Sequence, residues 1–570
     1  MPDRCRQCAA HLPGVLGKTA KRQLKYSTGI RFLNVVRETG YFSHSVDIQK
    51  SFLRGDPALG YREITLQLPT DYSDDALKDA ILRQLKIKDC TFSIESKSLD
   101  ARKKSNIHWL IKVGAVSEEL KGGEPAQQPI LEIPYQQRSS KALVVGSGPA
   151  GFFAALVLQK AGFRTTLIER GSRVDKRVQG IRDFESTGVF DPLSNYAFGE
   201  GGAGTFSDGK LTARTKKIAK EKQFILDSYI KAGAPAEIAY LAHPHLGTDH
   251  LRHIVVQLRN EFEALGGEIC FETQLTDLNV ENGSVTAAVT TQGEIQADVL
   301  LIACGHSAYE TYRMLIRRNV PFRSKNFAIG CRIEHPQELI NTAQWGKPSL
   351  PGVKAAEYRL TANTEGHLPV FTFCMCPGGI VVPATAYADT NIVNGMSRYR
   401  RNGHFANAAC VAGVNLESLL GKSIEPLEAL DWLSGLEQRF YNSTNGYQAP
   451  FSTISGFIQK KNSSQSVASS YPLGLTPAPL WELLPSEISR SISQGLQLFS
   501  RKLKGFDSGT IMGLESKTSS PLQAIRDEKK RCQGFSNLYL AGEGSGWSGG
   551  IISSGVDGIR TALSIAENTP

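Results

Sequence analysis

Short apolar runs alternate along this chain with segments of helical hydrophobic period, a pattern that predicts an α/β fold. The pattern is clearest between residues 141 and 170, where an apolar run at 142–145 predicts a buried strand. A helical segment follows it, and residues 165–168 predict a second strand. Strand, helix and strand in this order make the βαβ unit of a doubly wound parallel sheet. We therefore expect a Rossmann-type domain around which the other segments are arranged.

The turn between the first strand and the helix carries a G-x-G-x-x-G motif. Its first glycine makes the tight turn, its second lets the backbone approach a pyrophosphate, and its third lets helix and strand pack closely. The helix N-terminus adds free N–H groups and a positive dipole. Glu169 ends the second strand, at the distance along the chain from the motif that is expected for an acceptor of ribose hydroxyls. The neighbouring Arg170 could bind a 2′-phosphate, so a phosphorylated ribose stays an alternative. The full context predicts a dinucleotide site rather than an ordinary βα turn.

Three later segments have the pattern expected around the same dinucleotide. Residues 195–211 combine glycines with aromatic anchors, which predicts a loop wrapped on the cofactor rather than a flexible linker. An apolar run that ends at Gly305 predicts a strand returning to the nucleotide-binding sheet. The run 537–541 predicts a last strand, which delivers Glu543 to a turn where its carboxylate could bind the ribityl hydroxyls of a flavin.

The helix predicted after that turn would direct its N-terminal dipole at the pyrimidine edge of a flavin, where positive potential stabilises the reduced anion. We therefore predict that the two ends of the domain hold one FAD. The predicted FAD-binding residues are Gly146, Ser147, Gly148, Pro149, Ala150, Gly151, Glu169, Arg170, Gly201, Gly202, Gly204, Thr205, Gly305, Gly542, Glu543, Gly549, Gly550 and Ile551.

The other patterns divide the 570 residues into further units. Alternation at 61–68, and strand-like runs at 91–96 and 108–113, predict strands, and Ser73 is placed to cap a helix at 74–85. The predicted fold is a Rossmann-type FAD-binding domain with an inserted α+β substrate domain and a small N-terminal α+β module. The predicted units are a basic, poorly defined segment (1–55), the small module (56–120), a linker (121–140), the first part of the FAD-binding domain (141–320), the substrate domain (321–505) and the C-terminal return to the FAD-binding domain (506–570).

Composition and charge limit the class of protein. A hydrophobic fraction of 41% and a charged fraction of 21% are those of an ordinary globular protein. The sequence has no run of 18 apolar residues, so we predict no membrane span. Residues 1–37 hold eight basic residues and one acidic residue, Asp3, within a net charge of +10. We interpret them as a solvated tail of a cytoplasmic protein, with an organelle transit peptide as the minor alternative.

Cysteine usage points the same way. Ten scattered cysteines lack the dense spacing of a secreted disulfide scaffold and favour a reducing compartment. Cys5 and Cys8 form a C-x-x-C pair, but a metal site needs a second pair of ligands and none follows nearby. We therefore predict no metal.

Taken together, these motifs resemble a family of poorly characterised FAD-dependent dehydrogenases found in bacteria and in plastid-bearing organisms. The resemblance extends over roughly residues 60–565 and implies a flavoprotein oxidoreductase with bound FAD, without naming a substrate. The matching segments are SLDAR (98–102), GSGPAG (146–151), GEGGAGTFSDGKL (199–211), CGHSA (304–308), FAIGCRIEHPQ (327–337), FCMCPGG (373–379), NGMS (394–397), ESKTSSP (515–521) and GEGSGWSGGI (542–551).

Three side chains are candidates for catalysis beside the flavin. Cys374 and Cys376 lie two residues apart on a predicted strand, so both sulfurs would point to one face. They could form a redox pair or line the flavin, although an i,i+2 disulfide is geometrically awkward. His306 follows a strand end near the expected cofactor and could donate a proton, or it could simply bond the turn's backbone.

The sequence therefore favours an FAD-dependent oxidoreductase that moves a hydride between flavin and an unidentified organic substrate. This substrate could be an anion. NADPH or NADH would be a transient electron donor, because no second G-x-G-x-x-G follows a strand. Reduction of a carbon–carbon double bond, or its reverse, is the favoured reaction. The alternatives are an RNA-modifying enzyme that uses the basic stretch Arg102-Lys103-Lys104, a scaffold or regulatory protein with structural FAD, and a hydroxylating monooxygenase. Nucleic acid is the less favoured partner, and the oligomeric state stays open.

Overall fold

A computed structural model describes residues 59–444, 446–462 and 466–569. The predictions for residues 1–55, including the basic leader and the Cys5/Cys8 pair, lie outside this range. Across the described residues, no helix combines the length and the hydropathy needed to span a membrane.

The first unit is a small α+β module whose sheet has the antiparallel order β1-β3-β2. Its helix begins where predicted, since Ser73 Oγ accepts a hydrogen bond from the backbone N–H of Ala76 at 3.2 Å. Lys97 of β2 joins the module to the next unit through two backbone hydrogen bonds of 2.9 Å, to Tyr240 and from Ala242. The elements are β1 (Gly60–Leu68), α1 (Asp74–Leu85), β2 (Thr91–Asp100) and β3 (His108–Ser117).

A five-stranded parallel sheet with helices around it forms the second unit, which confirms the predicted α/β class. The strand order is β21-β10-β4-β5-β6. The order reverses beside β4, and ligands of open α/β sheets bind outside the carboxyl ends of the strands at such a point. The strands are β4 (Lys141–Val145), β5 (Arg164–Ile168), β6 (Glu268–Cys270), β10 (Val299–Ile302) and β21 (Leu538–Leu540). The helices are α2 (Pro149–Lys160), α3 (Val174–Thr187), α4 (Ala219–Lys231), α5 (Gly247–Ala264) and α13 (Ile551–Asn568). A hairpin sheet, β7 (Leu275–Glu281), β8 (Ser284–Thr290) and β9 (Gly293–Gln296), is inserted before β10.

The third unit is a large, mainly antiparallel sheet with the order β13-β14-β16-β12-β19-β17-β18, in which β15 pairs with β14. Its strands are β12 (Phe327–Pro336), β13 (Thr361–Ala362), β14 (Val370–Pro383), β15 (Val393–Ser397), β16 (Phe405–Val414), β17 (Ala449–Thr453), β18 (Leu475–Pro477) and β19 (Thr510–Glu515). The remaining elements are α6 (Tyr309–Arg317), β11 (Phe322–Ser324), α7 (Gln337–Trp345), α8 (Leu416–Leu420), α9 (Pro426–Thr444), α10 (Ile454–Gln459), α11 (Leu480–Leu483), α12 (Ser486–Lys502) and β20 (Leu522–Ala524).

The C-terminal limit of this sheet differs from the sequence prediction. The substrate domain was predicted to end at residue 505, whereas β19 at 510–515 pairs with both β12 and β17. Hydrophobic periodicity could not predict this, because the sequence of a short buried strand is apolar in either sheet. Only the strands that it pairs with show to which sheet it belongs. The chain therefore leaves the large sheet after Glu515 and rejoins the parallel sheet at β21.

Helices α2 and α13 pack unusually closely beside the parallel sheet. A Cβ atom built on Gly558 would lie 2.0 Å from the carbonyl oxygen of Ala150, and one on Gly151 would lie 1.9 Å from the carbonyl oxygen of Gly146. Side chains at these two positions would force the elements apart. Glycine therefore sets the distance between the first and the last helix of the domain.

We expect Gly558→Ala to destabilise the protein by about 2 kcal/mol, because overpacking of this kind typically costs 1–3 kcal/mol. The exposed Gly435 of α9 is a matched control, since a Cβ there meets none of the described atoms within 4 Å. Gly435→Ala should stabilise the protein by roughly 0.5–1 kcal/mol through helix propensity. Urea denaturation of both variants measures the two shifts; equal, stabilising shifts would contradict the close packing.

Candidate functional site

Three turns meet at the carboxyl edge of the parallel sheet. The turn after β4 touches the end of β10, because a Cβ on Gly146 (φ 102°) would lie 2.6 Å from the carbonyl oxygen of Ala303. The turn after β21 touches both of these segments. A Cβ on Gly544 would lie 2.6 Å from the carbonyl oxygen of Gly305, just after β10, and a Cβ on Gly542 would lie 2.7 Å from Ala150 Cβ, in the turn after β4. The structure thus brings together turns that are up to 400 residues apart in sequence.

Two helix N-termini border this edge. Helix α2 begins at Pro149 after Gly148, and α13 begins at Ile551 after Gly550. Gly204 lies against both, because its Cβ position is 3.5 Å from Ile551 Cγ1 and 3.8 Å from Pro149 Cγ. The first-turn N–H groups of a helix have no intrahelical acceptor, and they carry the positive end of its dipole. The pair of termini therefore suits a ligand with two anionic or electron-rich parts.

The glycines here leave room for a ligand. A Cβ on Gly305 or Gly550 would meet none of the described atoms within 4 Å, and one on Gly148 would meet only Gly202 Cα, at 3.9 Å. Glu543 borders the same space, 3.6 Å from the Cβ position of Gly549. Backbone N–H donors suit a diphosphate, and a carboxylate suits the hydroxyls of a ribityl chain. The residues present therefore fit FAD.

Glu169 is bound differently from the sequence prediction of a free ribose acceptor. Its Oε2 accepts hydrogen bonds from Ser147 N at 2.9 Å and Ser147 Oγ at 2.8 Å. Its Oε1 accepts from Gly171 N and Gly199 N, both at 3.0 Å. A carboxylate has about four acceptor positions, and these bonds occupy them. Glu169 therefore ties the turn at 146–151, the phosphate turn, to the loop at 195–211, the glycine-rich loop. A hydrogen bond from Glu169 to a ribose stays a prediction, and such a bond would replace one of these four.

Arg170 and Thr205 also make contacts within the protein. The Arg170 side chain forms an ion pair with Glu310, and its guanidinium carbon lies 3.9 Å from the centre of the Phe198 ring. Thr205 Oγ1 is buried and donates to the carbonyl oxygen of Glu200 at 3.1 Å. Both side chains therefore shape the loop at 195–211, and Arg170 Nε is left without a hydrogen-bond partner among the described residues.

The neighbouring glycines set how closely that loop approaches the site. Gly201 has a φ of 79°, and its Cβ would lie 2.1 Å from Thr205 Oγ1. Gly202 has a φ of 65°, and its Cβ would lie 2.9 Å from Gly148 Cα. Larger residues would strain the backbone at both positions. The loop therefore lies directly against the phosphate turn.

Arg177 organises this loop, and sequence reasoning missed it. The fully buried guanidinium donates to five carbonyl oxygens of the loop at 2.8–3.3 Å. Burial lowers its pKa to about 10, opposed by Glu169 and Glu200, so it stays charged at neutral pH. An arginine on an amphipathic helix gives no sequence signal for such a role. The accepting carbonyls belong to Asn195, Tyr196, Gly199, Glu200 and Gly202.

Comparison with known proteins agrees with this geometry. Residues 139–305 match the model of an FAD binding domain, and residues 326–518 match a C-terminal domain of FAD-dependent proteins. Residues 61–115 match a domain of unknown function. An uncharacterised protein of Clostridium beijerinckii is 37% identical over 532 residues, covering 90% of this chain and 99% of that one.

The chain belongs to the same family as this relative, a family of FAD-dependent oxidoreductases. The predicted family, enzyme class and FAD cofactor are thereby confirmed, as is the Rossmann-type FAD-binding domain. Among solved structures, the flavoprotein is similar to glycine oxidase from Bacillus cereus (11% identity, 76% of this chain and 96% of that one, TM-score 0.30). It is also similar to L-proline dehydrogenase from P. horikoshii (12% identity, 76% and 95%, TM-score 0.32). These likenesses are too distant to bear on its reaction.

His306 of the flavoprotein lies beside the last glycine turn. The imidazole Nδ1 is 3.5 Å from Glu543 Oε2, and the side chain is 7% exposed. Its Nε2 is buried and has no hydrogen-bond partner among the described residues. The turn itself is held by the Tyr312 hydroxyl, which donates to the carbonyl oxygen of Gly305 at 2.8 Å. One nitrogen thus faces a carboxylate, and the other is buried without a partner among the described residues.

The structure places Cys374 and Cys376 on β14 of the large sheet. The prediction assumed a regular strand, but Cys374 has a φ of 42° and the pairing with β16 shifts register between Phe373 and Cys376. A bulge re-aims side chains, so simple alternation does not apply here. Lys210 of the glycine-rich loop reaches this bulge and donates to the carbonyl oxygen of Met375.

We expect Arg177→Ala to weaken FAD binding at least tenfold, because the loop loses five hydrogen bonds and buried carbonyls are left without donors. Removing one partner from a buried charged network typically costs about 3–5 kcal/mol, so the melting temperature should also fall. Fluorescence titration of the apoprotein with FAD measures the affinity.

The exposed Arg182 on the same helix provides the control for this substitution. Arg182→Ala should change neither FAD affinity nor melting temperature appreciably. Unchanged FAD affinity in Arg177→Ala would contradict the role given to Arg177.

Proposed function

We propose that this flavoprotein transfers a hydride between FAD and an organic substrate and that His306 provides or removes the accompanying proton. FAD, when bound, supplies the hydride chemistry. The observation that carries the proposal is the buried, unpartnered Nε2 of His306 next to the glycine turns, with Glu543 on the other side of the ring.

The placement of the ring suits proton transfer. A carboxylate 3.5 Å from Nδ1 favours the tautomer in which Nδ1 carries the hydrogen and faces it. Nε2 is then the atom that gives or takes a proton. Burial keeps bulk water away from this atom, so a bound substrate would be its natural partner.

Reduction of a carbon–carbon double bond fits this arrangement best. The reaction adds a hydride to one carbon and a proton to its neighbour, and the reverse dehydrogenation removes both. A single acid–base group beside the hydride source meets that need. For electron supply we propose transient NADPH or NADH binding, because the described residues contain one parallel nucleotide-binding sheet, which FAD would occupy.

The first experiment is an anaerobic absorbance spectrum of the purified protein before and after addition of NADH or NADPH. Bleaching of the flavin band by one nucleotide would establish a reductase and identify its donor. A band that neither nucleotide bleaches would contradict the proposed donor and leave two readings, dehydrogenation by oxidised FAD and a structural FAD.

We expect His306→Gln to slow the transfer step to substrate by a factor of about 10² or more, as general acid catalysis typically contributes 10²–10⁴. Stopped-flow mixing of photoreduced enzyme with α,β-unsaturated ketones such as cyclohexenone measures this step. Photoreduction itself should be unaffected, because it needs no protonated histidine.

His253→Gln is the matched control, since this histidine is exposed on α5 and should leave the rate unchanged. Equal rates in wild type and His306→Gln would contradict the assignment of His306. Failure of reduced wild-type enzyme to react with any unsaturated carbonyl compound would contradict double-bond reduction.

A further inference from the structure

The segment around Cys374 and Cys376 is strained and irregular. Cys374 has a φ of 42°, a conformation that costs a residue other than glycine on the order of 1–3 kcal/mol. The register with β16 shifts on both sides of Cys376, between Phe373 and Cys376 and again between Cys376 and Gly379. Such strain persists only where the surroundings impose it, and it clusters at functional sites. Sheet formation alone therefore does not explain this bulge of β14 at residues 373–379.

Two cations hold the bulge. Arg332 is fully buried, and its Nη2 donates to the carbonyl oxygen of Cys374 at 2.7 Å and lies 3.4 Å from Cys376 Sγ. The Lys210 ammonium donates to the carbonyl oxygen of Met375, between the two cysteines. Cys376 Sγ in turn donates to the carbonyl oxygen of Cys374 at 3.3 Å. The two thiols are therefore unequal, since Cys376 is the one that acts as a hydrogen-bond donor.

The charges around the pair favour a thiolate at Cys374. The neighbouring Cys376 thiol lowers the pKa of Cys374, helped by the charges of Lys210 and Arg332 and opposed by burial and Asp208. The same coupling raises the pKa of Cys376 well above its usual range. The opposing carboxylates are already paired, Asp208 with Lys210 and Arg401, and Glu515 with Arg332.

The two residues also differ in exposure. Cys374 is partly exposed, whereas Cys376 is buried. Thiols that react with oxidants are those with thiolate character, some exposure and a second thiol close by. By contrast, Cys331 and Cys410, which face each other across β12 and β16, are buried, and burial raises the pKa of each thiol.

We propose that Cys374 and Cys376 form a hydroperoxide-reactive dithiol, with Cys374 as the attacking thiolate and Cys376 as the resolving thiol. This proposal does not depend on the proposed hydride transfer. Hydroperoxide is a fitting oxidant for a flavoprotein, because reduced flavins exposed to dioxygen release hydrogen peroxide.

The chemistry takes two steps. The Cys374 thiolate attacks one oxygen of the hydroperoxide, so that an S–O bond forms, the O–O bond breaks and water or an alcohol leaves after protonation. The sulfur is oxidised by two electrons to a sulfenic acid. The Cys376 sulfur then attacks Cys374 Sγ, an S–S bond forms, the S–O bond breaks, and hydroxide leaves as water with the Cys376 proton. A disulfide across two residues is strained, and strained disulfides are the readily reduced ones.

Alkylation of the FAD-loaded protein with iodoacetamide tests the thiolate. Peptide mass spectrometry should show Cys374 reacting at a nearly constant rate between pH 6 and pH 8. The rate of a free thiol with ordinary pKa rises about tenfold per pH unit in this range. At pH 6, Cys374 should react about tenfold faster than free cysteine, after allowance for the lower nucleophilicity of a weakly basic thiolate. A Cys374 rate that rises with pH like that of free cysteine would overturn the proposal.

Treatment with one equivalent of hydrogen peroxide tests the pair. Wild-type protein should lose two hydrogen atoms in mass, with a disulfide between residues 374 and 376, while Cys331 and Cys410 stay reduced as internal controls. Cys376→Ser should instead carry a sulfenic acid on Cys374 that dimedone traps, and Cys374→Ser should show neither product. Wild-type protein in which Cys374 remains a free thiol after peroxide would overturn the proposal without bearing on hydride transfer.

Discussion

The buried guanidinium of Arg177 is the interaction on which the site depends most. The glycine-rich loop turns five carbonyl groups into the protein, and buried carbonyls must find donors. No regular element supplies them there, so one side chain does. The loop it holds touches the phosphate turn through Gly202 and the start of α13 through Gly204. It then reaches the large sheet through Lys210. Fixing this loop therefore aligns three parts of the molecule at once.

Much of this architecture is visible in the sequence because it follows from local rules. The strand at 142–145, the helix at 74–85 and its Ser73 cap depend on periodicity and on neighbours three or four residues away. The glycines of the FAD turns likewise carry their own signal, since only glycine allows such close approach of backbones. These local features are the ones from which an FAD-binding domain can be predicted.

The rest depends on partners far apart in the chain. Arg332 binds Glu515, 183 residues later, and Asp208 binds Arg401, 193 residues later. No local pattern shows which arginine will be buried or which carboxylate will meet it. The same holds for Glu169, whose spacing predicts a ribose acceptor. Three backbone N–H groups and the Ser147 hydroxyl bind its carboxylate in the structure, and no local pattern indicates these partners.

These buried ion pairs bear on what the large sheet is for. A buried pair costs desolvation that its attraction barely offsets, and apolar residues of similar size are often as stabilising or more so. Arg332 with Glu515 and Asp208 with Arg401 are each buried on both sides, so stability is a poor reason for keeping them. They do fix the geometry of one irregular place, the bulge that carries Cys374 and Cys376. Arg332 and Lys210, which pair with the carboxylates of Glu515 and Asp208, both donate to carbonyl oxygens of the bulge. The burial of the two ion pairs is therefore better explained by the chemistry of the two thiols than by the demands of folding.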